Sequence, residues 1–502
     1  LHAVLWQLYE FLGTTSWVRL SELNHVFKRL VRHVALPVPI QLSNRQYILR
    51  APDIQKQWPN LRFVAHVGPT FHDVVVDTHR FVSLHTLHIT RCHQLDIIGP
   101  LPQLHHLTLN NCAGVRMLIG LDELESLTIE HCPNLVELVP FDQCKRICVR
   151  HCPQLNDFSS WVKLHELVLE ANNVHNDAVH IPSQLHWLEL THLSYFVNEV
   201  VGIPHVHFNG CYPCQLPDEV EWVSCAIIGT RLMYVEALSH VQNVDLSGSW
   251  CLDNVAPLAH VKILNLTDCT ALVNVDALAG VHELNLTNCY RVQNVNKLQF
   301  VHTLNLTGCW NIRDISELKN VVDLNLSGVG QLTSLDGLSK LKRLSLGSNR
   351  LLELNSPLCH LEIISITDCI SVVSIEALRG IANIYIDGCR RLVDISPLTT
   401  AKEVTISNCP FVSDITPLIN VPTICLRHLS QIKDVAILGS TGTVQYLELE
   451  RIPFYSAKGI HTIRQLKIKN CWGFTDCDYL RPTALVRGCG CQKHTFSIGS
   501  TD

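Results

Sequence analysis

One stretch of the sequence combines histidine and cysteine in a way that could bind zinc. Residues 205–214 read HVHFNGCYPC and one more cysteine follows, so the candidate ligands are His205, His207, Cys211, Cys214 and Cys225. A Cys-x-x-Cys pair with nearby histidines is a common ligand set for tetrahedral Zn²⁺. Two of these residues also fit a repeat laid out below, in which Cys211 faces inward and His207 outward. We therefore predict no metal site here.

Cysteine is the most regularly placed reactive residue of the chain. Twelve of the 22 cysteines occupy the ninth position of the repeat, namely Cys92, Cys112, Cys132, Cys152, Cys211, Cys269, Cys289, Cys309, Cys369, Cys389, Cys409 and Cys471. They could be buried thiols, or they could form disulfides between neighbouring repeats. A regular row gives each thiol two equivalent neighbours, and residues such as Ser249 and Asn349 stand at the same position. We predict free, unreactive thiols, with Cys489 and Cys491 reacting first.

The sequence contains no catalytic motif that points to an enzyme. A Gly-rich phosphate loop, a G-x-S-x-G elbow and an H-E-x-x-H helix are all missing. Many of the 28 histidines occupy solvent-facing positions, as in VHEL and VHTL. We expect a non-enzymatic protein without a cofactor.

These side chains are positioned by a repeat of twenty residues. Each unit reads V-x-x-L-x-L-x-x-C-x-x-V-x-x-V-x-x-L-x-x, and it returns without insertion at Val241, Val261, Val281, Val301, Val321, Leu341, Leu361, Ile381, Ala401 and Val421. The same frame begins upstream at Leu84, Leu104, Leu124, Cys144 and Leu164, and in looser form at Leu185, Ile203, Val220, Val444 and Ile463. Such periodicity is the mark of a repeat architecture. We predict about 21 units. Within each unit, positions are counted from the first V, which is position one.

The spacing within a unit predicts its secondary structure. The L-x-L segment has the alternation of a short strand, and the later apolar residues are three apart, which suits a tight coil rather than a long helix. One repeat cannot bury its own apolar side, so the repeats must stack on one another. The predicted fold class is an α/β-type repeat solenoid with one parallel strand per unit and a mostly non-helical back.

The repeat resembles that of the leucine-rich repeat family over about five-sixths of the chain. DISPL at residues 394–398 and DITPL at residues 414–418 are similar to the short internalin type, whereas C-x-x-I-x-D at residues 309–314 is similar to the cysteine-containing type of F-box proteins. The resemblance implies an arc with its parallel sheet on the concave face. In this family the ninth position is usually an inward asparagine, as at Asn172 and Asn349, and cysteine would fill the same place.

A solenoid of this kind offers the outward residues of its strands to a partner. We predict that a protein partner contacts the concave face through Asp245, Asn265, Asn285, Asn305, Asn325, Tyr385, Trp187, Arg146 and Arg150. The alternative for the amide residues is structural, a hydrated ladder in which stacked side-chain amides bond to one another. Because aromatic anchors are sparse on this face, we expect an extended contact rather than one tight hot spot.

The ends of the chain differ from the repeats. Apolar residues in residues 1–34 have helical spacing, which predicts a small helical cap within residues 1–50, and the segment resembles an F-box. The resemblance implies a ubiquitin-ligase linker as partner of residues 1–34. We predict a solenoid over residues 51–481 and a tail at residues 482–502.

Composition limits the classes of function. The net charge of −6 gives no reason to expect nucleic acid or membrane as partner, and neither an apolar span nor a leader peptide is recognisable. Three functions remain: an interaction scaffold such as an F-box-type substrate receptor, a structural component of a large assembly, and an extracellular recognition module. Free thiols disfavour the third and favour the cytoplasm or another reducing intracellular compartment.

Overall fold

A computed structural model describes residues 40–42, 63–67, 84–170, 179–182, 184–192, 200–211, 216–354, 356–476, 479–480 and 483–489. The chain divides into two compact units between Thr230 and Arg231. The predicted helical cap and F-box-like segment at residues 1–34 lie outside the described residues.

The first unit is a stack of parallel strands, one for each turn of the chain. Its main strands are Ile40–Leu42, Phe63–Val67, Leu84–Thr90, His106–Asn110, Ser126–Glu130, Arg146–Arg150, Glu166–Glu170, Trp187–Thr191, His205–Asn209 and Ser224–Ile228. Consecutive strands pair in parallel, for example Leu107 with Leu127. Two short strands, Ile97–Ile98 and Met117–Leu118, pair separately. The first strand lies within residues 1–50, so strand pairing begins before the predicted start of the solenoid.

The second unit repeats the same arrangement with greater regularity. Its strands are Asn243–Asp245, Ile263–Asn265, Glu283–Asn285, Thr303–Asn305, Asp323–Asn325, Arg343–Gly347, Ile363–Thr367, Asn383–Asp387, Glu403–Ser407, Thr423–Arg427, Tyr446–Glu450, Gln465–Cys471 and Leu485–Cys489. Leu264 pairs with Leu284 and Leu284 with Leu304, so equivalent positions of successive repeats are neighbours. The last strand lies beyond residue 481, so the sheet continues into the segment assigned to the tail.

The return path of most coils in the second unit contains a short 3-10 helix. Short 3-10 helices occupy Glu236–Leu238, Ala256–Leu258, Asp276–Gly280, Asn296–Phe300, Glu376–Leu378, Ser396–Thr400, Thr416–Leu418, Ala436–Gly439 and Ile460–Thr462. The N–H of Leu298 donates to the carbonyl of Val295, and that of Val301 to Leu298, at 2.9 and 3.1 Å. Apolar residues three apart fall on one side of such turns. None of the helices among the described residues has the length and apolar character needed to cross a membrane.

The core follows the repeat position by position. In the coil that begins at Val281, seven side chains are at most 2% exposed: Val281, Leu284, Leu286, Cys289, Val292, Val295 and Leu298. Burying one such aliphatic side chain contributes roughly 1.5–3 kcal/mol. The predicted parallel solenoid with an inward row of apolar residues and a largely non-helical back is confirmed.

In the coils that begin at Val241 to Val421, the residue at position eight, after the strand, has left-handed backbone. At position eight, Asp268 and Asn288 have φ of 59° and 60°, and Gly308 has a φ of 73°. Glycine, asparagine and aspartate adopt this region most readily. The sharp turn directs the N–H of Asn288 to the carbonyl of Thr307 in the next coil, at 2.7 Å. Position eight therefore turns the chain away from the sheet without leaving this N–H unpaired.

Candidate partner-binding face

The strands of both units leave one side of their sheet uncovered by the core, and we call this side the open face. In strand Asn383–Asp387, Ile384 and Ile386 are buried, whereas Asn383, Tyr385 and Asp387 are partly exposed. The open face therefore carries positions three, five and seven of each coil. The predicted partner-binding residues all lie at these positions.

Five of these residues form a row across adjacent strands of the second unit. Asp245 pairs with Asn265, Asn265 with Asn285, and the row continues to Asn305 and Asn325. We call it the amide row. The structure therefore brings these five residues together, as the repeat predicts.

The side-chain oxygens of the amide row are engaged within their own coils. The backbone N–H and the hydroxyl of Thr287 both donate to Oδ1 of Asn285, at 3.0 and 2.6 Å. The N–H two residues onward makes the same bond to Asp245, Asn265, Asn305 and Asn325. A backbone N–H can only donate, so the atom it meets must be the oxygen, and the amide NH₂ points away.

Among these five residues, one hydrogen bond links neighbouring side chains, and it joins an amide to a carboxylate rather than an amide to an amide. Nδ2 of Asn265 donates to Oδ2 of Asp245 at 2.9 Å. For Asn285, Asn305 and Asn325, the hydrogen bonds of the described chain use the oxygen for the local turn and leave the NH₂ groups for solvent or a partner. Asn285, Asn305 and Asn325 are thus a set of oriented donors.

The two predicted arginines are neutralised by the next strand. Nε of Arg146 lies 3.1 Å from Oε2 of Glu166, and Nε of Arg150 lies 2.9 Å from Oε2 of Glu170. Trp187 flanks Glu166 on the side opposite to Arg146 and is 39% exposed. This part of the first unit presents an aromatic ring beside ion pairs rather than a basic surface.

Tyr385 stands apart from the amide row. Among the position-five residues of successive strands, Ser345 and Ser365 lie between Tyr385 and Asn325. Partial burial raises the pKa of its hydroxyl, and a hydrogen bond with Glu403 adds to the effect. The hydroxyl therefore stays protonated at neutral pH.

A charged cluster that the sequence analysis missed lies further along the open face of the second unit. Glu448 is only 3% exposed. Its carboxylate accepts hydrogen bonds from the hydroxyl of Tyr446 at 2.8 Å and from Arg427 and Lys469 at 3.2 Å, and Nζ of Lys467 lies 3.2 Å away. We call these five residues the Glu448 cluster.

The partners of Glu448 decide its ionisation. Burial acts to raise the pKa of this carboxyl, but the hydrogen bonds from Tyr446, Lys467 and Lys469 outweigh burial and lower the pKa to about 2. Burial and the bond to Glu448 raise the pKa of Tyr446 to about 12. Strongly shifted groups gather at functional sites and also in structural ion networks. At any physiological pH, Glu448 is therefore a carboxylate and Tyr446 a neutral phenol that donates to it.

The row of cysteines is buried and reduced. All twelve are free and buried. The thiols of Cys289 and Cys309 donate to the carbonyls of Leu266 and Leu286 in the preceding coil, at 3.1 and 3.0 Å. Nδ2 of Asn349 donates to the equivalent carbonyl of Leu326 at 3.0 Å. Cysteine therefore takes the place of the inward asparagine, as expected.

Burial also sets the acidity of most of these thiols. It raises the pKa of Cys269 and of Cys309 to about 12, and it raises that of Cys369 and Cys409 as well. Cys152 is an exception, because a hydrogen bond with Cys132 lowers its pKa despite burial. The side chain of Cys489 and all of Cys491 lie outside the described residues.

The candidate zinc ligands lie on opposite sides of the sheet. His205 and His207 are on the open face, and Nδ1 of His205 lies 2.7 Å from Oγ of Ser224. Cys211 and Cys225 are buried in the core, and Cys214 is outside the described residues. In the described part of the chain, no three histidine, cysteine or acidic side chains are placed to share a metal ion.

The chain is similar to several solved repeat structures. An internalin (inlF) of Listeria monocytogenes has 18% identity and a TM-score of 0.40 over 53% of this chain and 86% of that chain. The functional domain of InlJ from the same organism, described as including a cysteine ladder, has 12% identity and a TM-score of 0.39 over 57% of this chain and 69% of that one. A leucine-rich repeat protein of Leptospira interrogans has 13% identity and a TM-score of 0.29 over 84% of this chain and 96% of that one.

No protein-family model matches the chain, and no curated protein matches its sequence. The assignment of the fold therefore depends on the chain itself, on a twenty-residue frame that runs from Val241 to Val421 without insertion and on parallel strands that pair in step with that frame. Where position nine is cysteine or asparagine, as at Cys289 and Asn349, its side chain bonds inward, and the stacked coils form a parallel solenoid of the leucine-rich repeat type.

Proposed function

We propose that this chain is a non-enzymatic scaffold that holds protein partners on its open face. The observation that carries the proposal is the amide row. The oxygens of Asn285 and Asn305 are held by local turns, so their NH₂ groups are oriented outward before any partner arrives. Donors that are already ordered lose little further entropy on binding.

The test replaces outward donors without disturbing the turns. In Asn285→Asp/Asn305→Asp, the carboxylate oxygen can still accept the N–H of residue i+2, but the outward NH₂ group is lost and negative charge is added. Asn274 and Asn294 are the matched control, because their oxygens accept the N–H groups of Asp276 and Asn296 in turns at position fourteen, away from the open face.

Affinity purification of the full chain with quantitative mass spectrometry gives the readout. We expect the open-face double variant to lose at least one protein that the parent retains in stoichiometric amount, and Asn274→Asp/Asn294→Asp to retain it. Equal retention by both variants, or equal loss from both, would contradict the proposal.

The finer form of the proposal is an F-box-type substrate receptor, in which residues 1–34 bind a ubiquitin-ligase linker while the solenoid holds the client. It is supported by the resemblance of that segment to an F-box. Deletion of residues 1–40 should remove the linker from the purified complex and leave the open-face partner bound. Recovery of structural proteins that need only the repeats would instead favour the role of an assembly component.

We also propose a reducing compartment such as the cytoplasm, and the buried free thiols support this location. Microscopy of the tagged chain in its native cells would test the location. Retention in an oxidising compartment would contradict it.

A further inference from the structure

The charge of the open face changes along the second unit. The amide row carries neutral donors over most of its length. The last four strands instead carry cations at positions five, seven and eight, namely Arg427, Arg451, Lys467, Lys469 and Arg487, against two carboxylates, Glu448 and Glu450. This end of the face, which we call the basic patch, is the part that would attract a negatively charged ligand.

The geometry of the Glu448 cluster places the cations above the carboxylate. The side chain of Glu448 is 4% exposed, whereas those of Arg427, Lys467 and Lys469 are 34–39% exposed. Solvent therefore meets the cations and not the acid beneath them. Because Glu448 holds both lysine ammonium groups, part of the entropy of ordering these long side chains is already lost on folding.

A cavity of about 590 Å³ opens at the edge of the basic patch. Arg451, Ile452, Pro453, Asn470, Trp472 and Gly473 line it. Trp472 is 64% exposed and follows the strand that carries Lys467 and Lys469. Tryptophan and arginine are the side chains most enriched where protein interfaces gain their affinity. The cavity is large enough for an apolar side chain of a partner.

We propose that the basic patch binds an acidic peptide segment of the protein partner, with carboxylates over Lys467, Lys469 and Arg487 and one apolar side chain against Trp472. The inference rests on the proposed scaffold function and adds the chemistry of the partner. Alternate side chains of an extended peptide are about 6.6 Å apart, and neighbouring strands of the patch are about 4.8 Å apart, so two or three carboxylates can each meet a cation.

Nucleic acid fits the patch less well than an acidic peptide does. Four strands span only about 15 Å across the patch. Oε2 of Glu450 lies 3.7 Å from Nε of Arg427 on the same surface, and the Glu450 side chain is 25% exposed, so it interrupts the row of cations. A nucleic acid carries a charge on every nucleotide and would have to cross this carboxylate, whereas a peptide can place a neutral side chain opposite it. The asparagines of the amide row, which lie on earlier strands of the same unit, can bond to peptide groups and add no charge. A peptide with neutral and acidic parts would match the face along its length.

The experiment measures binding of a defined probe to the full chain by fluorescence anisotropy. The probe is a fluorescein-labelled peptide of alternating glutamate and serine with one central phenylalanine. Its glutamine counterpart and a thymidine oligonucleotide of equal length are the comparison probes. We expect the acidic peptide to bind, to weaken as salt is added, and to bind better than both comparison probes.

Two matched double variants locate the binding. Arg451→Gln/Arg487→Gln removes exposed cations that do not contact Glu448, and Lys433→Gln/Lys458→Gln removes the same charge from exposed positions outside the open face of the same unit. We expect about a tenfold loss of affinity in the first pair and less than a twofold loss in the second. Equal losses in both pairs, absence of binding by the parent, or tighter binding of the oligonucleotide would overturn the inference.

These outcomes are separable from failure of the scaffold proposal. If the acidic peptide does not bind but protein partners are still lost from Asn285→Asp/Asn305→Asp, the scaffold function stands and the basic patch is wrong. If no protein partner depends on the open face, the scaffold function itself fails.

Discussion

An asparagine of the amide row lies on the open face, where its oxygen bonds to the turn of its own coil and its NH₂ group points to solvent. Oδ1 of Asn285 closes the turn by accepting from Thr287. The buried Cys289 in the same coil serves only the interior, where its thiol donates to Leu266. Substitutions at these two positions should therefore have separable effects on stability and on binding.

Substitutions of Asn285 and Cys289 measure how much each side chain contributes to stability. Asn285→Ala should destabilise the second unit by roughly 0.5–1.5 kcal/mol, because the N–H of Thr287 loses its acceptor. Asn285→Ser should cost less, because a serine hydroxyl can accept the same N–H. Cys289→Ser should cost roughly 1–3 kcal/mol, because its shorter hydroxyl matches the buried carbonyl poorly. Urea unfolding followed by circular dichroism measures all three, and equal losses for the two serine variants would contradict the inward and outward assignments.

Thiol labelling tests the other residue-scale expectation. Cys359 is exposed, whereas Cys269, Cys289 and Cys309 are buried. Burial raises the pKa of Cys269 and Cys309 to about 12, which suppresses the thiolate that alkylating reagents need. In the native protein, iodoacetamide should modify Cys359 within minutes and the three ladder thiols only after unfolding. Peptide mapping by mass spectrometry gives the order, and Cys359→Ser is the control. Early modification of the ladder would show that these coils open in the native state.

At the scale of the element, neighbouring strands determine what each side chain contacts. The repeat predicts the amide row because its members are separated by twenty residues in a frame without insertions. The same repeat does not predict the Glu448 cluster. Arg427, Lys467 and Lys469 lie 19 to 21 residues from Glu448 in the sequence, where the spacing of the repeats becomes irregular. A frame that counts position five from Val444 and Ile463 would place Glu448 beside Lys467. The sequence thus contained this signal, but the irregular spacing weakened it.

The Glu448 cluster has a specific pH dependence. The folded-state pKa of Glu448 is about 2, below its ordinary value of 4.5, so the stability it contributes is fully present above pH 4.5 and is lost as pH falls through 2. Glu448→Gln should lower stability at neutral pH by roughly 1–3 kcal/mol, because charged hydrogen bonds are lost. The difference in melting temperature between parent and variant should shrink towards pH 2.

The control for this effect is Glu236→Gln, because Glu236 is exposed at the start of a 3-10 helix. Its difference from the parent should be small at every pH. A Glu448→Gln difference that stays constant from neutral to acid pH would contradict the assigned ionisation.

At the scale of the whole molecule, the sequence predicts the core far better than the surface. Buried positions such as Leu284 and Leu304 are dictated by a pattern that each coil repeats. The direction of an amide is not in that pattern, because it depends on which nearby N–H takes the oxygen. The pairing of Arg146 with Glu166 likewise needs the strands to be laid side by side. The burial of a side chain can thus be predicted from its position in the repeat, whereas its surface contacts depend on which residues the adjacent strands place beside it.

Removal of one complete coil tests whether the fold depends on the repeat frame alone. Deleting residues 281–300 should leave a folded second unit, because the next coil can take over the backbone hydrogen bonds of the deleted one. The backbone N–H of His302 can then donate to the carbonyl of Lys262, as that of His282 does, and the carbonyl of Asn305 can accept from the N–H of Leu266, as that of Asn285 does. Circular dichroism per residue should be unchanged and thermal unfolding should stay cooperative. Deleting residues 281–290 moves the frame by half a coil and should abolish folding. Equal tolerance of both deletions would contradict a fold set by the repeat.

The parallel pairing of successive strands also has a mechanical consequence. Hydrogen bonds between neighbouring coils, such as that from Leu286 to the carbonyl of Asn305, join one coil to the next in the direction of stacking. Tension along that direction would load these bonds one strand at a time rather than all at once. A released coil of twenty residues at about 3.3–3.6 Å each, less about 4.8 Å of stacking, would lengthen the chain by about 65 Å. A stretched second unit would therefore yield in small, nearly equal steps and act as an extensible tether.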